Sequence, residues 1–166
     1  LTTDLEKIFP TDLKNISLNS SKYSFLMNEE AGIHDDLIIT KINQGFIIVL
    51  NAACKKKDFE IIKGLLNNKY EMKLRADLSL IAIQGPDSSV ILEKVLFGVS
   101  KLRFMNGGCF NYNNEKIFVT EDENIVIDGV TISLSSIFNT TIERTTKLRK
   151  YIISGYGCNG SGIGSI

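Results

Sequence analysis

Three short apolar runs follow one another in the first third of the chain. Stretches rich in Asn, Gln, Glu and Gly separate them, which is a turn-forming composition. Runs of five or six apolar residues bounded by such turns are typical of β-strands, and short turns between strands favour antiparallel pairing. The pattern predicts a three-stranded antiparallel meander over residues 23–27, 37–41 and 46–51.

The residues before the meander show a weaker pattern. Residues 5–9 resemble the end of a short helix, because Pro10 disfavours helix for the residue that precedes it and the Pro-Thr-Asp sequence favours a turn. We expect residues 1–20 to form a connecting segment, and the ordered core to begin after them.

Helical spacing appears after the meander. Phe59, Ile62 and Leu66 recur at intervals of three and four residues, with Lys and Asp between them and a pair of Asn residues as a stop. This spacing predicts an amphipathic helix over residues 55–66 that covers one face of the meander.

A second helix is predicted between further strands. Residues 70–75 and 78–84 indicate further strands, and a helix over residues 88–97 follows, with Asp87 suited to its N-cap and Gly98 to the left-handed position after its end. Apolar residues of this helix are expected to face the core, among them Val90, Ile91 and Val95.

The remainder of the chain alternates short apolar runs with hairpin-type turns. The predicted strands are residues 102–105, 109–112, 116–120 and 125–134. The pattern of residues 135–150 does not decide between a solvated helix and a loop. The Gly-rich composition of residues 155–164 predicts a loop. This order of elements predicts an α+β protein with an antiparallel unit over 21–77 and a β-rich region over 78–166.

Charge and cysteine content narrow the functional classes. Lys plus Arg and Asp plus Glu number 19 each, so no net field attracts nucleic acid or an anionic membrane. The apolar runs are far shorter than the roughly 20 residues that span a bilayer. Cys54, Cys109 and Cys158 lie far apart, which indicates neither a disulfide framework nor a zinc site and favours a reducing, cytoplasmic setting.

Asp35 and Asp36 are the first candidates for chemistry. They come just before an apolar strand, and because neighbouring strand residues point to opposite faces, only one of the two carboxylates can enter a given pocket. Spacing alone favours two solvated turn residues, since Asp is common in turns. It does not choose between the two carboxylates.

Longer stretches carry a more specific pattern. They are residues 23–40, 48–53, Lys57-Asp58, 79–86 and 102–105. In order and spacing they resemble the T-protein of the glycine cleavage system, a folate-dependent aminomethyltransferase family. In that family a strand leads to a Gly pair and Asp-Asp-Leu-Ile-Val, then to Asn-Ala and Lys-Asp, and a later strand ends in Gln-Gly-Pro. The resemblance covers about residues 5–120, an internal part of the family's chain, and the absence of an initial Met fits a fragment.

The resemblance implies a fold and a reaction. The fold would be a ferredoxin-like antiparallel unit joined to a partial antiparallel β region of the folate-binding domain. The reaction, part of glycine catabolism and one-carbon metabolism, transfers an aminomethyl group from lipoylated H-protein to tetrahydrofolate, giving 5,10-methylenetetrahydrofolate and ammonia. The setting would be the cytoplasm, or the mitochondrial matrix in a eukaryote.

The same resemblance assigns roles to four residues. Asp35 matches the family's catalytic carboxylate beside folate N10, which leaves Asp36 as a structural neighbour. Tyr23 matches a Tyr that lines the folate cavity, and Asn51 matches the Asn of Asn-Ala. Without the resemblance, Tyr23 would be interpreted as a packing residue and Asn51 as a helix cap. Tyr156, in a displaced Gly-Tyr signature, is the remaining folate-binding candidate.

Departures from the family pattern keep alternatives open. The Gly-Tyr signature at residues 155–164 has lost both of the family's Glu residues, one of which binds the pterin. His34 replaces an apolar residue, and as the single histidine without ligand partners in sequence it receives no metal or catalytic role. A non-catalytic folate-binding relative, an iron–sulfur assembly protein suggested by the sequence around Cys109, and a degenerate product are the alternatives.

Overall fold

Two compact units make up the chain, and they divide after residue 77. The computed structural model describes residues 1–75, 78–113, 115–122, 126–127, 130–131 and 149–154, with side chains described as far as residue 121. Both units combine antiparallel sheets with few helices, so the predicted α+β class is confirmed.

The first unit is built on a three-stranded antiparallel sheet in the order β1-β2-β3. Its strands are β1 (Ser21–Met27), β2 (Ile33–Ile42) and β3 (Gly45–Leu50), so the predicted meander is confirmed. β2 begins four residues earlier than expected. The side chain of Asn28 explains this, because its Oδ1 accepts hydrogen bonds from the backbone N–H groups of Glu30 (3.1 Å) and Gly32 (2.6 Å) and closes the turn early.

Two helices accompany this sheet. They are α1 (Thr2–Leu5) and the predicted amphipathic helix α2 (Lys55–Leu65). The core of the unit combines residues from the N-terminus, the sheet and α2: Leu5, Phe9, Leu13, Ile16, Leu26, Leu37, Ile39, Phe46, Ile48, Ile62 and Leu66. The expectation that residues 1–20 only connect is therefore wrong. The apolar residues of this segment are interspersed with Asp, Glu and Lys, so its local sequence gives no clear helix or strand signal. Tertiary packing buries these apolar side chains nevertheless.

Residues 70–75 do not form the predicted strand. They are described without a strand partner, while Tyr70 and Met72 pack against the edge of the core. Tyr70 also donates a hydrogen bond from its hydroxyl to Asp4 Oδ2 at 2.6 Å. Apolar residues of this stretch thus pack against the core without pairing in a sheet.

The second unit contains a four-stranded antiparallel sheet in the order β4-β9-β6-β5. Its strands are β4 (Leu80–Gly85), β5 (Gly107–Tyr112), β6 (Glu115–Asp122) and β9 (Arg149–Ser154). A two-residue hairpin, β7 (Val126–Ile127) with β8 (Val130–Thr131), forms a separate small sheet. Strands predicted near β4, β5 and β6 are confirmed, and the hairpin falls within the predicted 125–134 run.

β9 was not predicted, although it lies between β4 and β6. Its apolar run is only three residues long and follows basic residues, which is too little for a strand signal. The interpretations of residues 135–148 and 155–164 fall outside the described residues. Residues 102–105 form a turn with Met105 at φ 57°, so the predicted strand there is wrong.

The helix after β4 is shorter than expected and buries a different face from the one predicted. α3 spans Ser88–Glu93, and Gly98 has the expected left-handed φ of 88° before a single 3-10 turn, Val99–Lys101. Three residues predicted to face inward are more than half exposed: Val90, Ile91 and Val95. Leu92, Leu96 and Val99 are buried. The inward stripe runs from Ser88 to Leu92 and Leu96 at four-residue spacing, and Val99 follows three residues later in the 3-10 turn.

The cysteines differ from expectation at one position. Cys54 is a free thiol, whereas Cys109 is disulfide-bonded, and its partner is not among the described residues. Within the described residues, none of the helices combines the length and apolar character needed to cross a bilayer.

Candidate functional site

Strand β2 presents Asp35 and Asp36 on opposite faces of the first sheet. Asp35 is paired with the fully buried Leu26 and shares the core face with Leu37, while Asp36 is paired with Phe25 on the other face. Because β2 begins at Ile33, both carboxylates lie inside the strand and not in a turn before it. The prediction that the two neighbouring residues point to opposite faces of the strand is confirmed.

Asn51 connects the two carboxylates from the end of β3. Its Nδ2 donates to Asp35 Oδ1 at 2.7 Å and to Asp36 Oδ1 at 2.8 Å, and lies 3.2 Å from the Asp36 carbonyl oxygen. The backbone N–H of Asp36 adds a 2.9 Å hydrogen bond to Asp35 Oδ1. Two donors therefore fix the Oδ1 of Asp35, and the single amide of Asn51 links both faces.

The backbone of Asn51 also contacts the start of helix α2. Its carbonyl oxygen accepts hydrogen bonds from the backbone N–H groups of Cys54 and Lys55, and Cys54 is the N-cap residue of the helix. The Asn51 side chain is directed at the Asp pair, so the simpler interpretation of this residue as a side-chain helix cap is wrong. Sheet and helix are joined at this one residue.

Tyr23 contributes from strand β1. It is 44% exposed, and its hydroxyl donates a 2.7 Å hydrogen bond to Asp36 Oδ2. Its ring meets Phe25 edge to face, with 5.2 Å between centroids. Tyr23 thus reaches the site through Asp36.

A third carboxylate, from Asp58, was missed by the sequence reasoning. Asp58 lies in the first turn of α2, is 1% exposed, and has one carboxylate oxygen within 4.8 Å of both the Cys54 Sγ and an Asp35 oxygen. Its spacing from the apolar residues of the helix indicates that it lies on the buried face. Asp58 precedes Ile62 and Leu66 by four and eight residues, which places a carboxylate on the buried stripe of the helix.

The pKa values of the two neighbouring carboxyls move in opposite directions. Burial alone would raise the pKa of Asp35, but hydrogen bonds, led by those from Asn51 and Asp58, outweigh it and lower that pKa. Burial raises the pKa of Asp58, and the nearby Asp35 carboxylate raises it further. Asp35 is accordingly the more acidic member of the pair.

Cys54 completes this cluster. Burial raises the pKa of its thiol first, and the negative charges of Asp35 and Asp58 add to the effect. Two carboxylates and a thiolate could in principle hold a cation, but a thiol with a raised pKa remains protonated and is a poor ligand. The arrangement suits proton exchange around an ionised Asp35.

The structure brings together three of the four residues assigned by the resemblance. Asp35 and Asn51 are in direct contact, and Tyr23 joins them through Asp36. Tyr156 lies outside the described residues. His34 is exposed on β2, next to the site in sequence.

Known proteins are similar to this chain in sequence and in fold. The family model described as the GCVT N-terminal domain matches residues 2–120. The chain is 32% identical over 157 residues to the "Probable aminomethyltransferase, mitochondrial" of Schizosaccharomyces pombe, covering 89% of this chain and 41% of that protein. It is 33% identical over 141 residues to the "Aminomethyltransferase, mitochondrial" of Dictyostelium discoideum, covering 79% and 35%.

A solved structure agrees in fold. It is the glycine cleavage system aminomethyltransferase T from Bartonella henselae, with a TM-score of 0.63 at 23% identity, covering 92% of this chain and 36% of that one. The chain thus spans less than half the length of these relatives. Since the family model matches well over half of the chain, the chain belongs to the aminomethyltransferase family, in the part described as the GCVT N-terminal domain.

Proposed function

We propose that this chain is part of an aminomethyltransferase of the glycine cleavage system. The enzyme would move an aminomethyl group from the lipoyl arm of H-protein to tetrahydrofolate, giving 5,10-methylenetetrahydrofolate and ammonia. One observation supports the proposal most directly: Asn51 and the Asp36 N–H hold Asp35 as an acidic carboxylate, and the sequence resemblance matches Asp35 to the family's catalytic Asp.

The proposed role of Asp35 follows from its geometry. A carboxylate whose Oδ1 is fixed by two N–H donors cannot swing away, so its remaining lone pairs keep a constant direction. Placed beside folate N10, such a group would accept a hydrogen bond from that amine and favour positive charge developing on the transferred carbon. The folate N5 and N10 would each bond to the transferred carbon and each give up a proton. The bond from that carbon to the amino group would break and release ammonia with one of the protons, and its bond to the lipoyl sulfur would break and leave a thiol with the other.

Tyr23 and Asn51 would support folate binding in different ways. The half-exposed ring of Tyr23 offers a stacking face for the pterin or the aminobenzoyl ring. Asn51 acts mainly on Asp35 and Asp36, so its contribution to binding would be indirect. Tyr156 remains a proposed folate contact on the basis of the displaced Gly-Tyr signature alone.

The proposed setting follows the relatives. The curated names of the yeast and slime-mould relatives place them in mitochondria, and a further match is a Prochlorococcus marinus aminomethyltransferase. We therefore propose the mitochondrial matrix for a eukaryotic source and the cytoplasm for a bacterial one. Lipoylated H-protein is the proposed partner in both.

Titration calorimetry with tetrahydrofolate tests the proposal on this chain. The wild-type chain should bind, Asp35→Asn should weaken binding about tenfold, and Asp35→Ala should weaken it further, because a buried charged hydrogen bond contributes about 1.5–3 kcal/mol. Asp12→Asn is the matched control, since Asp12 lies in the same unit and its carboxylate accepts hydrogen bonds from the nearby residues Lys14 and Asn15. Equal affinity in wild type and both Asp35 variants would refute the assigned role.

A second candidate function is a folate-binding protein that does not catalyse transfer. The loss of both Glu residues from the signature at residues 155–164 favours it. A release assay with aminomethylated H-protein separates the two. Tetrahydrofolate binding accompanied by ammonia release supports the transferase, and binding without release supports the second candidate.

A further inference from the structure

Two buried oxygen atoms at the site lack a hydrogen-bond donor as long as both of their carboxyls are ionised. They are Oδ2 of Asp35 and Oδ2 of Asp58, each with almost no solvent contact. An unpaired buried carboxylate oxygen costs several kcal/mol, so a native site seldom leaves two such atoms together. The remaining oxygen of Asp35 is already satisfied by Asn51 and the Asp36 N–H.

One proton satisfies both oxygens at once. Asp35, Cys54 and Asp58 each bring an oxygen or sulfur atom within 4.8 Å of the other two. If both carboxyls were ionised, they would repel each other in a region that excludes water; with one proton between them, the repulsion becomes a hydrogen bond. We propose that Asp58 is protonated and donates its Oδ2–H to Oδ2 of Asp35, which makes Asp58 a positioning residue for that carboxylate.

The surroundings decide which residue keeps the proton. Asp35 receives two N–H donors on its other oxygen, whereas Asp58 is 1% exposed and lies among the apolar side chains of α2 and the core. The charged and titratable groups that face Asp58 are Asp35, Cys54, Lys57 and, more weakly, His34. Lys57 and His34 oppose the protonation of Asp58, but burial and the Asp35 charge have the larger effect on its pKa.

The consequence for the site is a carboxylate held from both ends. Asn51 and the Asp36 N–H orient one oxygen of Asp35, and Asp58 orients the other from the first turn of α2. The importance of this for folate chemistry rests on the proposed function. The hydrogen bond itself does not, and it can be tested without any ligand.

Carbon-13 NMR titration of the Asp side-chain carboxyls of the whole chain tests the proposal. In the wild type, the Asp35 and Asp58 signals should titrate in two linked steps, with Asp35 ionising first and Asp58 only at higher pH. In Asp58→Asn the amide still donates to Asp35, so the Asp35 step should stay close to its wild-type pH. In Asp58→Ala the donor is lost, and the Asp35 step should move to higher pH.

Two further comparisons make the result decisive. Asp12→Asn should leave both steps unchanged, and rescue by Asn but not by Ala distinguishes donation from simple filling of space. If Asp58→Ala does not fold, the titrations of the wild type and of Asp58→Asn still test the proposed hydrogen bond. Independent titration of Asp35 and Asp58 in the ordinary Asp range would overturn the proposal, as would one equivalent of Zn²⁺ retained by the wild type and lost in Cys54→Ser. Absence of folate binding with linked titration would refute only the proposed function.

Discussion

The side chain of Asn51 shows how much of this site depends on single groups. Its amide contacts two carboxylates at 2.7 and 2.8 Å, while its carbonyl oxygen receives the first N–H groups of the following helix. Replacement by Ala would leave two adjacent negative charges without their shared donor. A carboxylate that loses such a donor becomes easier to protonate.

The thiol of Cys54 offers a chemical readout of these charges. Its pKa is raised by burial and by Asp35 and Asp58, so iodoacetamide should alkylate it slowly near pH 8. The double variant Asp35→Asn/Asp58→Asn removes both carboxylates, should lower the thiol pKa and should increase the alkylation rate severalfold. Rates are measured by mass spectrometry of the Cys54 peptide, with Asp12→Asn as the control. An unchanged rate in the double variant would contradict the described electrostatics.

Elements differ in how far the sequence predicted them. The meander and α2 were predicted because their apolar periodicity is complete within each element. β9 was missed because its partners lie far away in sequence, and residues 70–75 were misassigned because packing against a core produces the same alternation as pairing in a sheet.

The candidate site was only partly predictable for similar reasons. Spacing showed that Asp35 and Asp36 face opposite sides, and only the family resemblance selected Asp35. Asp58 lies 23 positions after Asp35 in the chain. Its proximity to Asp35 results from the packing of α2 on the sheet, which local pattern does not describe.

Helix α1 is attached to the first unit by Asp4. Asp4 accepts hydrogen bonds from Lys69 at 2.7 Å, Tyr70 at 2.6 Å and Lys7 at 3.1 Å, and these hydrogen bonds lower its pKa far below the usual range. The stability that Asp4 contributes is therefore fully present above the usual Asp pKa of about 4 and is lost as the pH falls toward its own lowered value.

Replacement of Asp4 should show this pH dependence. At pH 7, Asp4→Asn should unfold at a lower urea concentration than the wild type, and the gap should narrow as the pH falls below about 4. Circular dichroism measures both transitions. Asp87→Asn is the control, because Asp87 is exposed and makes no side-chain cap hydrogen bond. A gap that is constant from pH 7 to pH 2.5 would contradict the role given to the Asp4 carboxylate.

At the scale of the whole molecule, the N-terminal residues belong to the core of the first unit. Phe9 has no exposed surface and packs among residues from the sheet and α2. This fits the family comparison, in which the match begins at residue 2. The length of the match and the location of the core agree that residues 1–20 are part of the domain.

Truncation of Phe9 tests that conclusion. Phe9→Ala should lower the free energy of unfolding by about 3–5 kcal/mol, since it removes a fully buried aromatic side chain and leaves a cavity. Phe97→Ala is the matched control: Phe97 is 86% exposed, and its loss should change stability by less than about 0.5 kcal/mol. Urea denaturation measures both. Equal effects of the two substitutions would show that the N-terminal residues do not form part of the core.

Because Asn51 joins the sheet to helix α2, the titration of Asp35 also reports on the folding of the first unit. The lowered pKa of Asp35 combines a donor that follows β3, a backbone N–H within β2 and a neighbour from α2, so all three elements contribute to it. A chain that forms its sheet but not its helix would keep the first two donors and lose the contribution of Asp58, so its Asp35 would titrate differently from that of the complete unit. One carboxyl signal could then report, in any variant or truncated form, whether the whole unit has assembled.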